Sequence, residues 1–430
     1  MKAWRLSLAV IGLAALAGAL VALALSGGFR GGEGTSRVSS SATASVTRRA
    51  SATPTPRPTA SAAATVTAVP SASGSPELSA LVQPARDARR LTGTTLIVPV
   101  LRVPSDTTFV TVPVAAVPIA SPSPRPSPSA AGGALTLGTL ARNSGLQVRP
   151  DGTVVAVALA TGSDTVRIAT WDLRSGATEW VTADEAGVRN TTPVWSADGA
   201  SVYYASARGT SDLGIWRIRA DGSQRTLVRR PGPGAPVSLV GLTPDGSGLV
   251  WSAEQAGGTV NVFDLASGAE RPFDDTTAAT ALAWREARPR ALVAVGGGAG
   301  QPGARTLVLW DDVTGTKRTL LGPEIANSPD SVLAADFDPT GTRIVIVASS
   351  RIGELEGSAL NLIDLSGKDR TVLAGSEGAQ QVLWFRAGIV FTRRGVSGGT
   401  DILLISPSGG TPALLYSAPG EIGKLQFVSP

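Results

Sequence analysis

A turn motif that returns every 47 residues constrains this chain more than any other feature. It reads Val148-Arg149-Pro150-Asp151-Gly152, Trp195-Ser196-Ala197-Asp198-Gly199, Leu242-Thr243-Pro244-Asp245-Gly246 and Phe337-Asp338-Pro339-Thr340-Gly341, at steps of 47, 47 and 95 residues, the last being two repeats. Eroded copies at Trp284 to Arg290 and Trp384 to Gly388 bring the units to six. A second motif keeps step, an apolar strand ending in a polar turn: Trp171 to Gly176, Trp216 to Gly222, Phe263 to Gly268, Trp310 to Gly315, Ile363 to Gly367 and Ile405 to Gly409. Each unit therefore supplies an apolar strand, a tight Asp-Gly turn and a β-branched strand such as Val154 to Val157. A variable loop, the aromatic strand, a Ser-Gly type turn and a short outer strand such as Arg225 to Val228 follow.

Four strands at this period make one propeller blade, so the expected class is all-β: a β-propeller of four-stranded blades with six clear repeats. The periodic Trp and Phe residues give each blade the bulk to pack on its neighbour. The stretch from Trp195 to Gly222 resembles the WD-like repeats of TolB-type β-propellers, and the resemblance covers residues 146–417, roughly two thirds of the chain. It implies a bacterial, exported propeller. It implies little about activity, because such blades occur in periplasmic scaffolds, peptidase substrate gates and sugar-binding proteins alike. An N-terminal α/β domain like that of TolB is not visible.

The chain ends hold pieces of a further blade. Leu425-Gln426-Phe427-Val428-Ser429-Pro430 matches Leu146-Gln147-Val148-Arg149-Pro150, Ala134 to Leu140 resembles an outer strand, and Leu96 to Val100 with Phe109 to Val112 mirrors an inner hairpin. A composite seventh blade, its innermost strand from the C-terminus, would close the ring and protect both sheet edges. Six blades is the alternative, favoured by Pro99 and Pro113, since proline removes a ladder donor.

Leu6 to Leu25 is twenty residues without a charge, preceded by Lys2 and Arg5. That length suits a membrane span, while Ala22-Leu23-Ala24 also fits a cleavage site. The expected organisation is a signal anchor or signal peptide over 1–30, a disordered Ser/Thr/Ala/Pro-rich linker over 31–90 and the propeller over 91–430. The expected location is the cell membrane, single-pass with the propeller outside the cytoplasm, or secretion after cleavage. Charge follows this division. Residues 1–90 hold ten Lys/Arg against three acids, a net of +7, whereas the whole chain carries +5. The remainder is thus about −2, a poor nucleic-acid surface, because phosphate neutralisation needs clustered cations on the folded part.

With no histidine and no cysteine, the chain excludes Ser-His-Asp and Cys-His catalysis, zinc fingers and disulfides. Gly395-Val396-Ser397-Gly398-Gly399 has the spacing of a nucleophile elbow but lies between two strands with no base, and Gly298 to Gly303 has a dinucleotide spacing with no helix after it. Paired acids stand at Asp274-Asp275, Asp311-Asp312 and Asp336-Phe337-Asp338. A glycosidase would need two carboxylates across a cleft, while Asp311 aligns with a repeated turn position. No catalytic set, cofactor set or full metal-ligand loop is recognisable. The turns joining strands one and two, and three and four, are short and share one face, whereas the other connections vary in length and share the opposite face. Variable loops on a rigid scaffold carry binding groups. Arg208, Arg229, Arg230, Arg351, Glu354, Glu356, Arg393 and Arg394 mark that candidate binding face. The expectation is a non-catalytic module that binds a protein or cell-envelope polymer through this face; the alternative is a carboxylate-dependent carbohydrate-active or lyase-type propeller enzyme.

Overall fold

The computed structural model describes residues 77–84, 95–102, 106–113, 135–141, 143–209, 213–231, 237–253, 259–273, 279–296, 304–325, 328–329, 331–349 and 357–428. The expected membrane segment and most of the expected linker lie outside them. Among the described residues, no helix is long and apolar enough to cross a membrane.

Each of the six repeats forms a four-stranded antiparallel meander, which we call units one to six in chain order. Units three to six are separate sheets. Units one and two share an eight-stranded sheet, joined by a single parallel bridge, Val166 to Arg189, so the sheets number six where seven separate blades were expected. The remaining sheet is the composite one. Its order from the inside is Gln426–Val428, Thr95–Arg102, Asp106–Pro113 and Leu135–Leu140. A fifth strand, Val82–Pro84, pairs outside Leu135–Leu140 although it falls in the span expected as linker. Pro99 is accommodated because its inner partner bows away: between the Ile97–Gln426 pair and the Val100–Ile422 bridge, Pro99 only accepts, from the Gly423 N–H at 2.8 Å.

The two repeated turns explain themselves chemically. Asp151, Asp198 and Asp245 each accept the backbone N–H two residues on, at 3.0, 3.0 and 3.2 Å. The glycine between takes a left-handed φ, 72° at Gly152 and 68° at Gly199, Gly246 and Gly341, where a Cβ would be strained. At the second turn Asp172, Asp264 and Asp311 each bind two successive N–H groups in the same way.

Strand side chains alternate between faces, and here both faces are apolar. In unit one Val155, Val157 and Leu159 pack toward the composite sheet, while Val154, Ala156 and Ala158 pack toward unit two. In unit five Ile344 and Ile346 serve unit four, and Val345 and Val347 serve unit six. The composite sheet does likewise, with Ile97 toward unit one and Leu96, Val98 and Val100 toward unit six. Among the described residues seven apolar seams result, and no sheet of the ring presents a free face.

The innermost strands are also stitched to one another by side chains. Gln147 Oε1 accepts the Trp195 N–H at 2.6 Å, Thr192 Oγ1 the Leu239 N–H at 3.1 Å, and Asp336 Oδ2 the Trp384 N–H at 2.8 Å. Gln426 occupies the position equivalent to Gln147 and closes the series, accepting the Val148 N–H at 2.9 Å and donating to the Leu146 carbonyl at 3.3 Å. Gln426→Ala removes both bonds and is expected to cost about 1–3 kcal/mol, from typical net hydrogen-bond values near 1 kcal/mol with an added penalty for a stranded donor. Deleting Lys424 to Pro430 is expected to lower the thermal midpoint further by opening the ring; a midpoint unchanged in calorimetry overturns the closure.

Candidate binding site

Most acids of the propeller are consumed by structure. Asp198 and Asp264 at the repeated turns are held below the ordinary carboxylate range by the hydrogen bonds they accept, Asp198 by the Ser196 hydroxyl and Asp264 by the Ser267 N–H first. Asp151, drawn down to about 2, is bound by Arg149 and Thr153 in spite of partial burial. Asp311 caps its turn as expected. Its neighbour Asp312 is fully buried and takes the Arg290 guanidinium in a fork, 2.6 and 2.8 Å, while the third Arg290 nitrogen reaches Asp245 of unit three at 2.6 Å. Arg271 joins the cluster, at 2.5 Å from Asp264 and 3.5 Å from Asp312. This network clamps units three and four at the turn face and leaves none of these carboxylates free for chemistry.

Asp336 and Asp338, adjacent in the motif, are separated in role. Asp338 caps its own turn through the Thr342 and Arg343 N–H groups at 2.6 and 2.8 Å. Asp336 belongs to the inner strand, where it accepts the Phe337 and Trp384 N–H groups at 2.9 and 2.8 Å. Burial pushes its carboxyl up to about 6, against the opposing pull of the two N–H groups and of Lys424. Among the described residues, no group of three or more acids is placed to hold a metal ion. Asp274 and Asp275 lie outside them.

A cleft of about 220 Å³ lies on the long-loop side of unit two, at its seam with unit one. Glu185 comes from the connection between the units, Ser206 and Arg208 from the strand Ser201–Arg208, Trp216 from Gly214–Arg219, and Leu227 from Thr226–Arg229, with Arg225 and Arg230 at the two ends of that last strand. Glu185 splits its carboxylate between Arg225 at 2.9 Å and Arg208 at 3.4 Å. The Arg225 guanidinium also lies 4.3 Å above the Trp216 ring. Gly214 leaves room for that ring, since a Cβ there would sit 2.7 Å from the indole nitrogen. Arg230 has no ion-pair partner among the described residues, and the Arg208 side chain is 58% exposed. Two guanidiniums thus meet one carboxylate, and a third, Arg230, lines the same cleft. The buried Tyr204 hydroxyl lies close enough to feel Arg225 and Glu185, and burial raises its pKa against the pull of Arg225.

Of the residues expected on the binding face, Arg208 and Arg230 line this cleft. Arg229 does not: it pairs with Glu270 of unit three. Arg393 and Arg394 end a strand of unit six, and the structure does not bring them to unit two. Arg351, Glu354 and Glu356 lie outside the described residues. Sequence reasoning missed Glu185, Arg225 and Trp216 as site residues. In the sequence Trp216 stands in the motif position of Trp171, Phe263 and Trp310, yet the register pairs Ile218, not Trp216, with the residue equivalent to the Val155 partner of Trp171. Trp216 is two places out of phase, on the same face but nearer the long loops, and a signal existed: six residues separate it from its turn glycine, where the other three have five.

No protein-family model matches the sequence, and no curated protein does. Solved structures do resemble it. The periplasmic gluconolactonase PpgL of Pseudomonas aeruginosa is 18% identical, with 79% of this chain and 99% of that one covered and a TM-score of 0.50. A prolyl endopeptidase is 16% identical, with 78% and 50% covered and a TM-score of 0.51. TolB from Acinetobacter baumannii is 13% identical, with 78% and 66% covered and a TM-score of 0.42. The chain therefore spans half of the endopeptidase and about two thirds of TolB. At these identities the likeness shows the fold alone: the chain is a β-propeller, as the resemblance of its repeats to TolB-type blades implied.

Two predictions follow from these acids. Arg290→Met leaves the buried Asp312 with only the 3.5 Å contact to Arg271 and is expected to destabilise by about 3–5 kcal/mol, the usual cost of removing one partner of a buried pair; urea unfolding measures it. For Asp336 the folded pKa of about 6 lies above the ordinary 3.8, so the folded state holds the extra proton. Its contribution is complete below pH 4 and is lost as pH rises through 6. Asp336→Asn keeps an acceptor oxygen without the charge, so its stability relative to the parent is expected to rise between pH 4.5 and 7.5, by on the order of 2 kcal/mol at about 1.4 kcal/mol per pKa unit. A pH-independent difference in thermal midpoints refutes the assignment.

Proposed function

We propose that this chain is an exported, membrane-tethered β-propeller that serves as a non-catalytic binding module for a protein or cell-envelope polymer. One observation carries the reading: a cleft among the described residues holds three guanidiniums, one carboxylate and an indole, a set suited to recognising anions and unsuited to proton transfer near neutral pH, because guanidinium stays protonated. The tether rests on the uncharged run from Leu6 to Leu25. Export is consistent with the likeness to a periplasmic gluconolactonase.

Asp336 supports the second reading, a carboxylate-dependent enzyme, since its raised pKa would suit a general acid. Its two backbone hydrogen bonds speak for a stitching role instead. An immobilised full chain is expected to retain a component of a bacterial envelope fraction that elutes as salt is raised, while a panel of glycans and lactones stays uncleaved. Turnover abolished by Asp336→Asn or another single Asp→Asn change overturns this reading in favour of the enzyme.

A further inference from the structure

We propose that the cleft of unit two takes up an extended, acidic polypeptide segment as an added strand beside Thr226–Arg229, with one carboxylate on Arg208 and Arg230 and an apolar side chain two residues away on Trp216 and Leu227. This deepens the binding reading, on which it rests, by naming the class of partner. The charge comes first. Glu185 serves Arg225 closely and Arg208 at 3.4 Å, so Arg208 is loosely held and Arg230 has no ion-pair partner among the described residues. A guanidinium presents paired donors that match a carboxylate.

The second observation is the apolar strip. Trp216 and Leu227 are cross-strand partners, so their side chains share the face that borders the arginines, and Leu227 is 37% exposed. A polymer bearing charges alone leaves this strip uncovered. A polypeptide strand covers it, because side chains two apart point the same way and set an acid beside an apolar group.

The third is the sheet edge. Thr226–Arg229 is the outermost strand of its meander, and no described strand pairs with its outer side. In the composite sheet that same edge is already covered: Val82, Gln83 and Pro84 pair with Leu140, Thr139 and Gly138 as a fifth strand. The molecule thus holds one example of the pairing proposed for unit two. Main-chain hydrogen bonds to an edge give affinity and the alternate side chains give selectivity.

The probe is a fluorescein-labelled peptide Ser-Glu-Thr-Val-Thr-Glu-Ser, measured by anisotropy against the full chain. Binding is expected at 50 mM NaCl, weakened at 300 mM, and weakened at least tenfold by the Arg208→Ala/Arg230→Ala double variant, by Gln in place of Glu in the peptide, and by backbone N-methylation at alternate peptide positions. Glu185→Gln, which removes the internal competing carboxylate, is expected to tighten binding several-fold. Equal binding by the parent and the double variant overturns the proposal, as does equal binding of the N-methylated peptide or displacement by inorganic phosphate at the peptide's own concentration. Circular dichroism shows that the double variant is folded, and Arg208→Gln/Arg230→Gln repeats the test if it is not. Capture from the envelope fraction that is unchanged in the double variant sinks this site while the binding reading stands; no capture by either sinks both.

Discussion

Both faces of every described sheet are apolar, and the rest of the structure depends on that. A sheet buried on two sides cannot stand at the end of a row without exposing a face on the order of hundreds of square ångströms, so the row must return on itself. The return is made by a short strand, Gln426–Val428, laid against Thr95–Ile97 from the other end of the chain. Residues more than 300 positions apart therefore share one ladder, and the entropy of closing so long a loop is recovered only once the seams on both sides are filled. Gln426 adds a lateral bond to unit one that repeats the Gln147 bond from unit one to unit two, which makes the closing seam chemically like the others.

The same constraint disposes of the polar groups. A propeller of this kind has short turns at one face, an inner wall and long loops, and the first two are already engaged. The turns use their aspartates as acceptors for backbone N–H groups that would otherwise lack partners. The inner wall uses Gln147, Thr192, Asp336 and Gln426 to bind the next unit. Asp336 in this company is a stitch that carries a charge, and its raised pKa follows from occupying a place that Gln fills elsewhere. Charge that is surplus to structure is found at the seam beside the long loops, in the arginines of unit two.

Much of this was legible in the sequence because a period of 47 residues and a period of two are both patterns of spacing. The strands, the two turns, the composite sheet and the role of Asp311 all follow from residues that recur or alternate. The sequence also contained the exception at Trp216, but one extra residue before Gly222 is a small signal among six eroded repeats, and only the register with Tyr204 resolves it. The Arg290–Asp312–Asp245 clamp was not legible at all. Its members are 22 and 45 residues apart, Arg290 falls in an eroded copy of the motif, Asp312 sits beside the repeated turn position rather than on it, and the bond to Asp245 is made by packing between units. The fifth strand Val82–Pro84 was hidden for a different reason: three residues beside a proline-rich stretch carry no periodicity.

The displacement of Trp216 links the fold to the site. In units one, three and four the large aromatic sits at the turn end of its strand, inside a seam, with Trp171 1% exposed, Phe263 7% and Trp310 1%. In unit two Ile218 fills that seam position, and the indole moves about 7 Å toward the long loops, two residues at 3.3–3.4 Å each. There it has a guanidinium on its face and Leu227 beside it. Ile218 is smaller than Trp but still seals the seam at 3% exposure, so moving the aromatic leaves the ring intact. A repeat protein can vary one blade in this way because each unit answers only to its two neighbours. The cleft is then a local departure from a repeated pattern, and departures of that kind, in phase rather than in composition, are the places on this ring where recognition can differ from packing.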